Sequence, residues 1–199
     1  MRNSLSYVAA VLGVAIVVLI LLSWVIAAAM PEASIHSLLS PEGIRWFFGH
    51  FATSLATPFL VWIVLGTLAY GAFRGSGLQG FFFGIRAEKD YRSRFAWRIV
   101  LIEMACFAAI LVLLCFTPQA VLLSVTGSLW PSSFSAGLIP ILCFAVIVFS
   151  VTYGLVSGRL ATLHEVVACI VSFFPHSGII FLLYVLTAEL YFSVLFVFG

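Results

Sequence analysis

Charge is what this sequence has least of. Only 8% of its 199 residues are Asp, Glu, Lys or Arg, against 64% hydrophobic. Soluble domains carry about 25% charged and about 45–50% apolar residues, so an ordinary soluble globule is excluded. The net charge of +2 is too small to imply a nucleic-acid partner. Catalytic and cofactor motifs are also missing. The sequence contains no P-loop, dinucleotide fingerprint, HExxH zinc pair or GxSxG elbow. Its four histidines, His36, His50, His164 and His176, lack metal-ligand spacing, and no CxxC pair occurs among Cys106, Cys115, Cys143 and Cys169. These cysteines fall in or beside apolar runs and read as small buried hydrophobes rather than a disulfide framework. No enzymatic activity, metal or cofactor is expected.

What the sequence does have is apolar runs of roughly 20 residues, each enough to cross about 30 Å of hydrocarbon. They are continuous rather than alternating, and lipid offers the backbone no partner, so they read as helices and not barrel strands. The expected fold is all-α: one helical membrane domain over residues 1–199, with about five transmembrane helices plus short interfacial helices. The spans are placed at Val8–Met30, Phe51–Phe73, Phe95–Phe116, Gly137–Val156 and Ser177–Phe198. The first run exceeds a signal-peptide core, so an uncleaved helix is expected despite Ala27-Ala28-Ala29.

Between the spans, Ser40-Pro41-Glu42 reads as a helix start, with Ser as N-cap, Pro at N1 and an acid at the positive end of the dipole. The helix it opens mixes Trp46, Phe47 and Phe48 with Arg45 and His50, a composition suited to the membrane interface. Pro58 falls inside the second span and is expected to kink it, with Thr53, Ser54 and Thr57 available for the freed carbonyl. Thr67, Gly71 and Gly75 form a small-residue stripe suited to helix–helix contact. Thr162 opens a half-length apolar stretch, Leu163 to Phe174, which Pro175 breaks before the final span.

The basic residues set an orientation. Arg74, Arg86, Lys89, Arg92, Arg94 and Arg98 cluster in one loop, which reads first as a topology signal and attracts anionic lipid headgroups. Placing the N-terminus in the cytoplasm puts all the basic residues except Arg45 on that side and the C-terminus outside. A multi-pass protein of a bacterial inner membrane is the corresponding expectation, with lipids and either copies of itself or another membrane protein as partners.

Ionisable groups inside spans carry the functional interest, because an unpaired charge in hydrocarbon costs several kcal/mol. Glu189, with Tyr191 and Ser193 nearby, reads either as an ion, proton or substrate site or as a structural hydrogen bond. Glu103 is expected to reach Arg98 or Arg94. Ser132, Ser133 and Ser135 supply hydroxyls in an uncharged loop and complete the candidate ion or substrate pathway.

Leu38-Leu39-Ser40-Pro41-Glu42-Gly43-Ile44-Arg45-Trp46 resembles the L-L-S-x-E-G-I-R-W start of the AbgT family, the bacterial p-aminobenzoyl-glutamate transporters. Gly71 and Ser76-Gly77-Leu78 match the end of that family's following span more loosely. Ile139-Pro140 to Gly158, His164-Glu165-Val166-Val167 and Ala188 to Phe192 are similar to later family segments, with Glu189 where the family has glutamine. The resemblance implies transport of a small organic anion, coupled to Na+ or H+. However, family members are more than twice this length and carry a polar core of Asn, Asp and Ser in two re-entrant hairpins. Here the only asparagine is Asn3 and the only aspartate is Asp90. What remains resembles the family's scaffold and dimerisation helices. Two expectations follow: a reduced transporter, or a non-transporting scaffold of the same descent.

Overall fold

The computed structural model describes residues 2–30, 35–82, 91–116 and 133–199. They form eight helices and, among the described residues, no strand: α1 (Arg2–Ala29), α2 (Pro41–Leu55), α3 (Pro58–Gly75), α4 (Leu78–Phe82), α5 (Tyr91–Phe116), α6 (Ser133–Val156), α7 (Leu163–Val171) and α8 (Phe174–Phe198). Five stretches are long and apolar enough to cross a membrane: Ser4–Ala29, Pro58–Gly75, Tyr91–Leu113, Gly137–Val156 and Leu163–Phe198. The protein is therefore an all-α membrane protein. Large apolar side chains on the outside, such as Val11 at 67% exposure, follow from that setting, because lipid is as apolar as a protein core.

Residue chemistry explains the helix starts. The Ser40 side chain accepts from the Gly43 amide at 3.0 Å, with Pro41 at the first helical position, so α2 begins where the sequence places its cap. Thr162 caps α7 in a full capping box: its hydroxyl accepts from the Glu165 amide, and the Glu165 carboxylate accepts from the Thr162 amide.

Pro58 acts differently from the expected kink. It does not bend a continuous span over Phe51–Phe73. Instead α2 ends at Leu55, Ala56 caps it, and Pro58 opens α3. A proline disfavours helical geometry in the residue before it, and its missing amide costs nothing at a helix start. Two separate helices therefore satisfy Thr57-Pro58 better than one bent helix. Likewise α5 begins at Tyr91, so Arg92, Arg94 and Arg98 stand on a helix rather than in a loop. Pro175 lies in the first turn of α8, which is separated from the end of α7 by only Ser172 and Phe173.

The chain divides into two compact units, residues 1–63 with 176–199, and residues 64–175. In the first, the 35–40 segment is tied to α1 and α8. The Leu38 amide donates to Ser23 Oγ at 3.2 Å and the His36 amide to the Val197 carbonyl at 3.1 Å. Trp46 stacks on Phe196 with ring centroids 4.4 Å apart. In the second unit, Leu78, Ala96, Val100 and Tyr153 form a buried cluster joining α4, α5 and α6.

Candidate functional site

The interruption between α2 and α3 is held by a side chain far away in sequence. Tyr184 of α8 donates its hydroxyl to the Leu55 carbonyl at 2.7 Å, and the same oxygen lies 2.6 Å from Thr57 Oγ1. With the tyrosine proton on Leu55, Thr57 is the donor in the second bond. The Leu55 carbonyl also accepts from the Thr57 amide at 2.8 Å, so the tyrosine hydroxyl fills its second lone pair and orients the residue before Pro58. Beside this tie lies a cavity of about 780 Å³ whose wall includes Thr57, Pro58, Ile180, Tyr184, Thr187 and Tyr191. That is within the size range of small-molecule pockets, with apolar walls and few polar groups.

Glu189 does not open into it. The cavity's α8 wall is centred on Ile180, Tyr184, Thr187 and Tyr191 and reaches Ala188 and Phe192 at its edge, whereas Glu189, nine residues after Ile180 and roughly 180° from it around the helix, is not part of the wall. Glu189 is 5% exposed, and its Oε1 has no hydrogen-bond partner. Ser193, one turn further on the same face, is buried and lines a separate cavity of about 230 Å³ with Ile20, Leu38, Ile44, Phe47 and Phe48. Tyr191, grouped with Glu189 by the sequence, points the other way and is exposed. Arg45, the basic residue of α2 in the same unit, is exposed.

Glu103 finds a hydroxyl rather than a guanidinium. Thr152 of α6 donates to its Oε1 at 3.2 Å, and its Oε2 is buried without a partner. The expected partners were out of reach for a geometric reason. Arg98 is five residues away and Arg94 nine, roughly 140° and 180° around α5, while same-face neighbours are three or four apart.

The small-residue stripe lies against α7. A side chain at Gly71 would collide with the Ile170 carbonyl, and one at Gly75 would come within 2.6 Å of Cys169 Sγ. Ser172 Oγ donates to the Gly71 carbonyl at 3.3 Å and Cys169 Sγ to the Ala72 carbonyl at 3.7 Å. Thr67, buried, bonds back to Val64 within its own helix. Ser132 lies outside the described residues. Ser133 and Ser135 are in the first two turns' backbone of α6, and their hydroxyls also lie outside what is described.

The candidate residues are therefore not one site. Glu189 and Ser193 belong to the first unit, whereas Glu103 with Thr152 and the Gly71–Gly75 stripe belong to the second. Sequence reasoning missed Tyr184 altogether. The nearest signal was a tyrosine in the middle of an apolar span, where a buried hydroxyl demands a partner. Comparison of the chain with family models, with curated proteins and with solved structures matches none of them, so the AbgT-like motif of Leu38 to Trp46 stands on its own residues.

Proposed function

We propose that this chain is a membrane scaffold, the frame of an AbgT-like transport protein that packs helices and holds a membrane partner or a second copy without itself carrying substrate. The observation that carries this reading is that Glu189 is not in the wall of the 780 Å³ cavity, although Ala188 and Phe192 beside it on α8 are. A transport path needs its ionisable group and its cavity in one place. The cavity wall supports the same reading, since the Thr57 and Tyr184 hydroxyls are already spent on each other and on Leu55. On this reading the protein is not an enzyme, and it sits in a bacterial inner membrane with its N-terminus in the cytoplasm.

Transport of a p-aminobenzoyl-glutamate-like anion, driven by Na+ or H+, is the second reading. The break at Ala56–Thr57 favours it, because interrupted helices build the binding sites of many secondary transporters. So does the unpartnered oxygen of Glu189. Proteoliposomes decide between the two. The scaffold reading expects no uptake of aromatic or dipeptide-like anions under a sodium or proton gradient, together with oligomers or a cross-linked partner in native membranes. Uptake by the wild type that disappears in Glu189→Gln would establish the transporter and remove the scaffold.

A further inference from the structure

The first unit buries two serines beside one cavity, and only one of them is used. Ser23 of α1 is 1% exposed; its hydroxyl donates to the Ile20 carbonyl at 2.8 Å and accepts from the Leu38 amide. Ser193 of α8 is equally buried, at 1% exposure, yet among the described residues no hydrogen bond engages its hydroxyl. Ser193 is the polar side chain in the wall of the 230 Å³ cavity, whose other lining residues are leucine, isoleucine and phenylalanine.

The wall is preformed. Ser23 ties Ile20 to Leu38, the Ser40 cap starts α2 just before Ile44, and Trp46 stacked on Phe196 fixes α2 against α8. Phe47 meets the rings of Phe48 and Phe51 edge to face, with centroids 5.6 and 5.9 Å away. Leu39, Ile44 and Phe48 are exposed, so the cavity opens on their side. Its lining decides what it can hold. An ordered water needs 2–4 polar partners, and here Ser193 is the one side chain that offers a bond. An ion would meet no charge, because Glu189, one turn before Ser193, is not in the wall. The same lack sets this cavity apart from a site for the organic anion that the family resemblance implies. An apolar cavity of about 150 Å³ accepts a benzene ring. At 230 Å³ this one has room for a ring with one small substituent. A hydrocarbon chain end would suit the walls but would leave the serine unpaired.

We infer that this cavity binds a small neutral aromatic alcohol of one ring, a phenol, its ring against Ile20, Ile44 and Phe47 and its O–H donating to Ser193 Oγ. The walls take the ring out of water, and the hydroxyl satisfies the polar group that folding leaves unused. The site stands whether or not the chain carries substrate. Its wall draws on α1, α2 and α8, so a bound phenol also holds these helices together.

The test uses the full chain purified in a neutral detergent and follows 4-fluorophenol by fluorine NMR. Fluorobenzene is the matched ring without a hydroxyl, and protein-free micelles give the background of partition. 4-Fluorophenol is expected to bind about five- to tenfold more tightly than fluorobenzene, the worth of one hydrogen bond, and unlabelled phenol should displace it. Ser193→Ala should remove that advantage and leave fluorobenzene binding unchanged, which separates the lost hydroxyl from misfolding. Ile44→Trp, at the exposed rim, should fill the cavity and abolish both. Equal binding of the two rings, as a pocket for a hydrocarbon chain end would give, would overturn the inference. So would 4-fluorophenol binding that keeps its full strength in Ser193→Ala or Ile44→Trp, or binding no greater than that of protein-free micelles.

Discussion

Gly71→Ala tests the packing of α3 on α7 through the sign of a stability change. In a helix free of neighbours, replacing glycine by alanine gains up to about 1 kcal/mol in helix propensity. At Gly71 the added methyl meets the Ile170 carbonyl and the Phe173 amide, which are backbone atoms and cannot rotate aside. Overpacking of this kind costs about 1–3 kcal/mol. If α7 retreats, the Ser172 hydrogen bond to the Gly71 carbonyl goes with it, at roughly another 1 kcal/mol. The net expectation is a loss of about 1–3 kcal/mol. Gly66, on the same helix, is the internal control, because a Cβ there meets nothing within 4 Å. Gly66→Ala should therefore be neutral or stabilising. Thermal melts of both variants in one detergent measure the difference. Maleimide labelling adds a local readout, since buried Cys169 should react faster in Gly71→Ala while exposed Cys106 is unchanged. A Gly71→Ala protein as stable as Gly66→Ala, with Cys169 still protected, would refute the backbone contact.

Tyr184→Phe should cost about 0.5–1.5 kcal/mol, because the Thr57 hydroxyl loses its partner while the Leu55 carbonyl keeps only the Thr57 amide. A double-mutant cycle with Thr57→Val in thermal melts should show coupling. Glu189→Gln should melt at or above the wild-type temperature, since a neutral isostere replaces a buried carboxyl whose Oε1 has no partner; a drop corresponding to about 3–5 kcal/mol would instead reveal a hidden countercharge. Glu165→Ala should cost about 0.5–2 kcal/mol by opening the α7 capping box. Amide hydrogen exchange should then speed up in the first turn of α7 and not in α6. Gly77→Ala should destabilise by about 1–2 kcal/mol from its left-handed backbone alone. Arg159→Ala in the same protein should relieve only the steric part of the loss.

Much of the fold was legible because its physics is local. Apolar run length announces a membrane helix wherever it folds, and Ser40 and Thr162 cap helices by reaching only three residues ahead. Two misreadings were avoidable from the sequence. Thr57-Pro58 sits at the start of an 18-residue apolar run, so a helix start was as available as a kink. The spacing of Glu103 from Arg94 and Arg98 already placed them on different faces of one helix. Other features could not be read. The tie from Tyr184 to Leu55 crosses 129 positions, and no pattern on either helix announces it. The left-handed state of Gly77 and Gly158 becomes meaningful only once Arg159 and Arg92 are seen lying over them.

The break before Pro58 also sets a length. At about 1.5 Å per residue, the 18 residues of α3 reach roughly 27 Å, a little less than the typical 30 Å of hydrocarbon. The 28 residues of α1 reach roughly 42 Å and can tilt to fit. A short helix has no such freedom, so the lipid must thin around it or its ends must reach outward. With α3 across such a bilayer, the polar turn at Ala56 and Thr57 would fall at the rim of the hydrocarbon rather than in its middle. Hydrophobic mismatch at α3 would make the protein favour thinner bilayers and draw short-chain lipids to its own boundary.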